Sequence, residues 1–162
     1  MSEPVIDPAK FRQVLGHFPT GVTVITAQDG DEAVGLAVGS FFSVSLDPPL
    51  IGFCAGSQST SWPRIRRAGR FCVNVLEAGQ EDVCRVFAGK AADKFAGTGH
   101  DAAPTSGAPR LENVLAWIDC ELEAVHPGGD HDIVVGRVRD LEVAHEGAPL
   151  VFFRGGYAQL AG

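Results

Sequence analysis

The pattern of apolar and polar positions along the chain separates short strands from short helices and turns. Asp7-Pro8 opens a helix, with Asp as N-cap and Pro in the first helical turn, and Phe11, Val14, Leu15 and Phe18 recur at helical spacing before Pro19 ends it. Gly21 to Ala27 is β-branched and reads as a strand, with a hairpin turn at Asp29-Gly30. A long extended stretch follows from about Ala33 to Val44 and stops at Asp47-Pro48-Pro49, because two prolines cannot continue a ladder. Leu50 to Cys54 and Phe71 to Leu76 predict short buried strands. Trp62 to Ala68 and Glu81 to Ala88 predict short helices. Trp117 to Val125 alternates, with Asp119, Glu121 and Glu123 set outward and Cys120, Leu122 and Ala124 inward. Pro127 to Asp130 is a turn, Ile133 to Val143 a long strand with a bulge near Asp140, and Leu150 to Leu160 the last strand. Gly89 to Asn113, rich in Gly, Ala, Pro and Asp, is the longest weakly patterned segment and reads as a lid or a partner-covered arm.

About seven strands joined by tight turns favour antiparallel pairing, and a small closed barrel would remove their exposed edges. The expected fold class is mainly β with short helices, in one domain over residues 1–162 with its core at about 11–160. The helix-after-every-strand rhythm of a parallel doubly wound sheet is absent.

Composition changes this picture little. The 162 residues are 45% hydrophobic and 20% charged, which excludes intrinsic disorder. A net charge of −7 argues against nonspecific nucleic-acid binding and against an anionic membrane surface. Apolar runs are too short to span a bilayer, and the N-terminus lacks the pattern of a secretory signal. Cys54, Cys72, Cys84 and Cys120 stand among apolar neighbours without a CxxC pair, which suits reduced thiols in a cytoplasmic protein and no metal.

The chain carries no GxSxG, HExxH, Walker or GxGxxG motif. Four segments remain as candidates for chemistry. Gly35 to Pro49 sets Ser40, Ser43 and Ser45 into an apolar stretch whose glycines admit a flat ligand or another backbone. Gly56 to Ser61, ahead of Arg64, Arg66 and Arg67, offers hydroxyls and cations to a phosphate, or simple N-capping by Ser59 or Thr60. Gly128 to Asp132 sets His131 at a rim after a tight turn. Arg154 to Tyr157 holds an aromatic beside a cation, or else forms a hairpin turn.

The segments FPTGVTVIT (18–26), SVSLDPPL (43–50), FCVNVL (71–76), FAGK with DKF (87–95), GDH (129–131) and PLVFFRGGY (149–157) together resemble the flavin reductase-like family, in order and spacing over about 11–160. The resemblance implies a split β-barrel of the FMN-binding type, antiparallel and Greek-key-like. It implies a homodimer that reduces FMN or FAD with NADH or NADPH and supplies reduced flavin to a partner monooxygenase. It assigns Leu36, Ala37, Val38, Gly39 and Ser40, with Ser43 and Ser45, to the isoalloxazine. Cys54, Ala55, Gly56, Ser57, Ser59 and Thr60 would hold the ribityl chain and phosphate, and Phe87 and Lys94 would complete the pocket. His131, the candidate catalytic residue, would lie by the nicotinamide with His17, Phe18, Arg154 and Tyr157. One departure stands out: the family commonly has Thr-Ala-Asn-Ser where this chain has Ala37-Val38-Gly39-Ser40, so backbone groups replace a hydroxyl and an amide. A flavoprotein that keeps its FMN for another redox reaction, or a non-catalytic flavin-binding module, are the alternatives.

Overall fold

The computed structural model describes residues 2–161. Their elements in chain order are α1 (Pro8–Leu15), β1 (Thr20–Gly21), β2 (Thr23–Asp29), β3 (Glu32–Val38), β4 (Phe42–Ser45), β5 (Leu50–Gly56), α2 (Trp62–Ala68), β6 (Arg70–Val75), α3 (Glu81–Ala88), β7 (His100–Ala102), β8 (Pro109–Leu111), β9 (Ala116–Gly128), β10 (His131–Val143), β11 (Val151–Phe153) and β12 (Gly156–Ala158). The molecule is mainly β, and the main sheet has seven antiparallel strands in the order β3-β2-β6-β9-β10-β5-β4.

The two edges of this sheet are neighbours in sequence. Only Gly39, Ser40 and Phe41 separate β3 from β4. Four residue steps span at most about 14 Å. A flat sheet of seven strands would hold its edges roughly 29 Å apart at six spacings of about 4.8 Å. The sheet therefore curls until its edges approach. The extended stretch expected from Ala33 to Val44 is accordingly two strands, not one, broken where the chain passes between the edges.

Both faces of β2 are covered, so Thr23 to Ala27 are all buried in sequence rather than alternately. Ile25 and Ala27 point into a core with Val34, Phe53, Phe71, Val73 and Val134, plugged by Trp62 and Ile65 of α2. Val22 and Val24 point the other way, against Leu76, Cys84, Phe87, Leu111 and Leu150. A third cluster, Cys72, Ala103, Ala108 and Trp117, lies under the segment expected as a lid. That segment contains the β7–β8 hairpin and is pinned to the sheet. Buried Asn74 donates to the carbonyl of Val24 and the hydroxyl of Thr26, and its Oδ1 accepts from Leu111 N–H at 2.8 Å. Thr26 donates to the carbonyl of Pro109.

The hairpin also overturns the expected facing of Asp119. Its carboxylate is buried, and Oδ2 accepts from the N–H groups of Thr105 (2.7 Å) and Ser106 (3.0 Å) in the loop above, while Oδ1 finds no partner among the described residues. The bulge in β10 falls between Val138 and Asp140, and a second one lies between Val135 and Gly136. The expected last strand is instead a hairpin, β11–β12, turning through Arg154 (φ 51°) and Gly155 (φ 76°). The apolar residues of α1 find no core here, since all eight positions of the helix are exposed.

Candidate active site

A cleft of about 280 Å³ opens where the edges of the curled sheet meet, lined by Leu36, Ala37, Val38, Gly39, Ser40, Cys54, Gly56 and His131. Register explains its construction. β4 pairs Phe42 with Gly52, and that register continued by two residues sets Ser40 opposite Cys54. The chain has already left the ladder there, and the serine hydroxyl takes its place. Ser40 Oγ accepts from Cys54 N–H at 2.8 Å and donates to Cys54 C=O at 3.1 Å. The hydroxyl is thus spent on the strand, and the Gly39–Ser40 backbone forms the wall.

His131 stands across the cleft at the start of β10, about half exposed. Its Nδ1 lies 2.7 Å from Asp130 Oδ1. A carboxylate only accepts, so Nδ1 carries the hydrogen and Nε2 is turned toward Gly56. The imidazole holds the Asp130 carboxyl below the usual carboxylate range. Two contacts sequence reading missed fix this turn: Ser57 N–H donates to Asp130 C=O (2.9 Å), and Trp62 Nε1 donates to Asp132 Oδ2 (2.8 Å). A methyl group added at Gly56 would sit 3.6 Å from His131 Nε2, in the space before the imidazole. The side-chain-free wall at Gly56 suits a flat heterocycle, whereas a methyl group at Gly39 would point away from the cleft, 3.2 Å from Thr20 Oγ1.

The other expected site residues divide. Ser43 and Ser45 lie on β4, outside the lining of the cleft. The Ala55 side chain is buried on the core face. Ser59 Oγ accepts from Trp62 N–H at 3.1 Å in the turn ahead of α2, but the N-cap of that helix is Ser61, so neither Ser59 nor Thr60 is the cap that sequence allowed. Phe87 corrects the expectation that it completes the pocket, because its side chain is fully buried. Its ring lies beneath β3, where a methyl at Gly35 would come within 2.5 Å of it. Gly35 is a glycine for the sake of Phe87, not of a ligand. Lys94 donates to the carbonyls of Gly35 (3.0 Å) and Phe87 (3.1 Å) and to Ser61 Oγ (3.3 Å). It clamps three segments together.

On the far side of Gly39–Ser40, an apolar cavity of about 550 Å³ is lined by Phe18, Pro19, Thr20, Phe41, Phe42 and Val75 among others. Phe18 therefore shares the Gly39–Ser40 wall. His17 and Arg154, far apart in sequence, are brought together in space beside Phe18: Arg154 N–H donates to Gly16 C=O (2.8 Å), His17 packs edge-on to Phe153, and Arg154 stacks on Phe153. Tyr157 is turned elsewhere, donating to Cys84 Sγ at 3.2 Å under Arg85, and its hydroxyl is pushed up to about 12 by that bond and by burial. His131 lines a different cavity from Phe18, and neither cavity includes His17, Arg154 or Tyr157.

None of this provides an activated nucleophile. All four cysteines are free, burial and the neighbouring Asp119 push the Cys72 thiol up to about 12, and burial raises that of Cys120 further. Among the described residues, no group of three His, Cys, Asp or Glu side chains is placed to hold a metal. A cleft left open at Gly56, with a spent serine and one oriented histidine, suits a protein that leaves the chemistry to a bound cofactor.

Comparison with known proteins agrees with that class. The model of the flavin reductase like domain matches residues 15–161, and the chain belongs to this family. A flavin reductase of Pseudomonas putida is 54% identical over 157 residues, which span 96% of this chain and 92% of its own. The reductase subunit of a flavin-dependent monooxygenase from Rhodococcus jostii is 50% identical, over 94% of this chain and 77% of its own length. The solved NADH:FAD oxidoreductase of Streptomyces globisporus in complex with NAD and FAD fragments is 36% identical, covers 98% of both chains, and superposes with a TM-score of 0.89.

Proposed function

We propose that this chain is an NAD(P)H:flavin oxidoreductase that supplies reduced flavin to a partner monooxygenase. The observation that carries the reading is the cleft beside the meeting edges of the sheet, left open at Gly56, with His131 oriented across it. We read the curled sheet as a split β-barrel, with the cleft at the split.

The residues present fit a flavin. The Leu36–Ser40 backbone and Gly56 would hold the ring, and the segment from Ser57 to Thr60 leads away from the cleft toward the ribityl chain and phosphate. Bound FMN or FAD supplies the chemistry of accepting a hydride from NADH or NADPH. The chain's own residues position and shield. The Gly39–Ser40 wall is held in place by the two Ser40–Cys54 bonds, so its backbone groups are aimed before any ligand arrives, which is what a site for developing charge requires. His131, with Nδ1–H fixed on Asp130, presents Nε2 as an acceptor when the ring is neutral, suited to the carboxamide of a nicotinamide. Phe18 and the His17–Arg154 group are the remaining candidates for holding that nucleotide.

Val5, Ile6, Phe11, Val14, Leu15 and Phe18 are all exposed apolar side chains near the N-terminal end, and we read them as the seat of a homodimer. The monooxygenase partner rests on relatives such as the Rhodococcus jostii reductase subunit. Four free thiols suit the reducing cytoplasm, and among the described residues no helix is long and apolar enough to cross a membrane. Purified protein should consume NADH or NADPH when FMN or FAD is added and not otherwise. If neither nucleotide is consumed in the presence of either flavin, the reading fails.

A further inference from the structure

His131 owes its place to its two neighbours in the chain, and both are held from one segment. Ser57 N–H donates to the carbonyl of Asp130 at 2.9 Å, and Trp62 Nε1 donates to Asp132 Oδ2 at 2.8 Å. The turn before them is built on Gly128 and Gly129, the latter at φ 72°, so the chain there is free to take other conformations unless it is held. The bond between His131 Nδ1 and Asp130 is made to a carboxylate on a highly exposed side chain. It orients the imidazole without anchoring the backbone beneath it.

Asp132 breaks the rhythm of its strand. The face of β10 that carries Asp132 next carries Val134, which is fully buried, and then Gly136, packed close to the Phe71 ring. In β5 the partners of Asp132 and Val134 are Ala55 and Phe53, both members of the same core. A β-branched apolar residue would continue this row, whereas a carboxylate at its end is costly unless it is bonded. Its short bond is to the indole. Arg66 Nη1 lies 3.8 Å from the same oxygen, too far for a charge-assisted hydrogen bond. The indole itself is fixed: Trp62 is buried, its ring packs edge-on to Phe53, and its backbone N–H is bonded to Ser59 Oγ. Successive side chains of a strand point to opposite faces, so a carboxylate drawn inward at Asp132 turns the imidazole of His131 outward, into the cleft.

We propose that Trp62 and Asp132 are positioning residues for His131, a donor–acceptor pair that holds the start of β10 so that the imidazole faces the nicotinamide nucleotide. This deepens the flavin reductase reading and rests on it, and on His131 as a nucleotide ligand. Neither Trp62 nor Asp132 lines the cleft, so both act through the strand.

The test measures initial rates with whichever pairing of NADH or NADPH with FMN or FAD the wild type turns over fastest. Asp132→Val completes the apolar row and removes the acceptor. Trp62→Phe keeps a buried ring and removes the donor. Each should raise the KM for the nucleotide about fivefold, as for loss of one hydrogen bond, and leave the KM for flavin within about twofold. Asp132→Asn keeps an oxygen for the indole and should stay within about twofold of wild type. The double variant should cost no more than either single one, because the same bond is removed twice. In a His131→Ala background Asp132→Val should change nothing further, since no imidazole remains to be placed. Asp132 is partly exposed, so its variants carry the test even if Trp62→Phe does not fold. A nucleotide KM unmoved by Asp132→Val, a flavin KM that rises with it, or an equal effect with and without His131 overturns the proposal. A wild type that reduces no flavin, or a His131→Ala variant with an unchanged nucleotide KM, defeats the parent reading and the proposal with it, and shows in proteins that carry neither substitution.

Discussion

Ser40→Ala tests the corner on which the cleft is built. The variant removes one accepted and one donated hydrogen bond, at 2.8 and 3.1 Å, and leaves the N–H and C=O of Cys54 facing a methyl group. A net hydrogen bond contributes about 1 kcal/mol, and a stranded buried backbone group costs about 1–3 kcal/mol. Ser40 and Cys54 are only partly buried, so water recovers some of this. The expected loss is about 2 kcal/mol, or about 4–8 °C in Tm for a chain of this size. Because the same bonds hold the Gly39–Ser40 wall, the KM for flavin should rise as well. Thermal melting by circular dichroism reads the first effect, and initial rates across a flavin titration read the second. Ser43→Ala is the control: this hydroxyl is exposed on β4, and its loss should shift Tm by no more than about 2 °C. If Ser40→Ala melts within about 1 °C of wild type and keeps its flavin KM, the serine is not the ladder substitute argued above.

Gly35→Ala should destabilise by about 1–3 kcal/mol, because the added methyl would lie 2.5 Å from the buried Phe87 ring; an unchanged melting curve would show that the ring yields freely. Asp29 is held below the usual carboxylate range by hydrogen bonds from Arg67 and then Arg64. A depressed carboxylate stabilises the fold above its unfolded pKa of about 3.9 and loses that contribution as the pH falls through its folded value. The Tm gap between wild type and Asp29→Asn should therefore be full near neutrality and close below about pH 4, and a gap constant through the acid limb contradicts the ion-pair account. His131→Ala should raise the KM for the nicotinamide nucleotide more than that for flavin, and an unchanged nucleotide KM removes His131 from that site.

The local elements were largely legible in the chain. Asp7 caps α1, accepting from Ala9 N–H at 3.0 Å, and Pro8 follows it as the motif predicts. The alternation placed β9 and β10 and even the slip near Asp140, because period two and turn chemistry act over a few residues. The motif series carried the family and, with it, the segments that line the cleft. Facing was harder to read. Asp119 follows the polar rhythm of β9 yet is buried, because its partners at Thr105 and Ser106 arrive from a loop whose own pattern is weak. Phe87 and Lys94 lie in the motifs of a pocket, yet one is packing and the other is a clamp.

By itself the sequence determined where the chain extends, coils and turns, which side chains are available for chemistry, and the family they mark. Tertiary structure alone decided that β3 and β4, three residues apart in the chain, are the two edges of one sheet. It alone decided that Ser40 finishes a ladder for Cys54, that Gly35 makes room for Phe87, and that the indole of Trp62 meets Asp132. The physical reason is range. Propensity and periodicity are summed over neighbours in sequence, whereas burial and hydrogen-bond satisfaction depend on which distant segment comes to lie alongside.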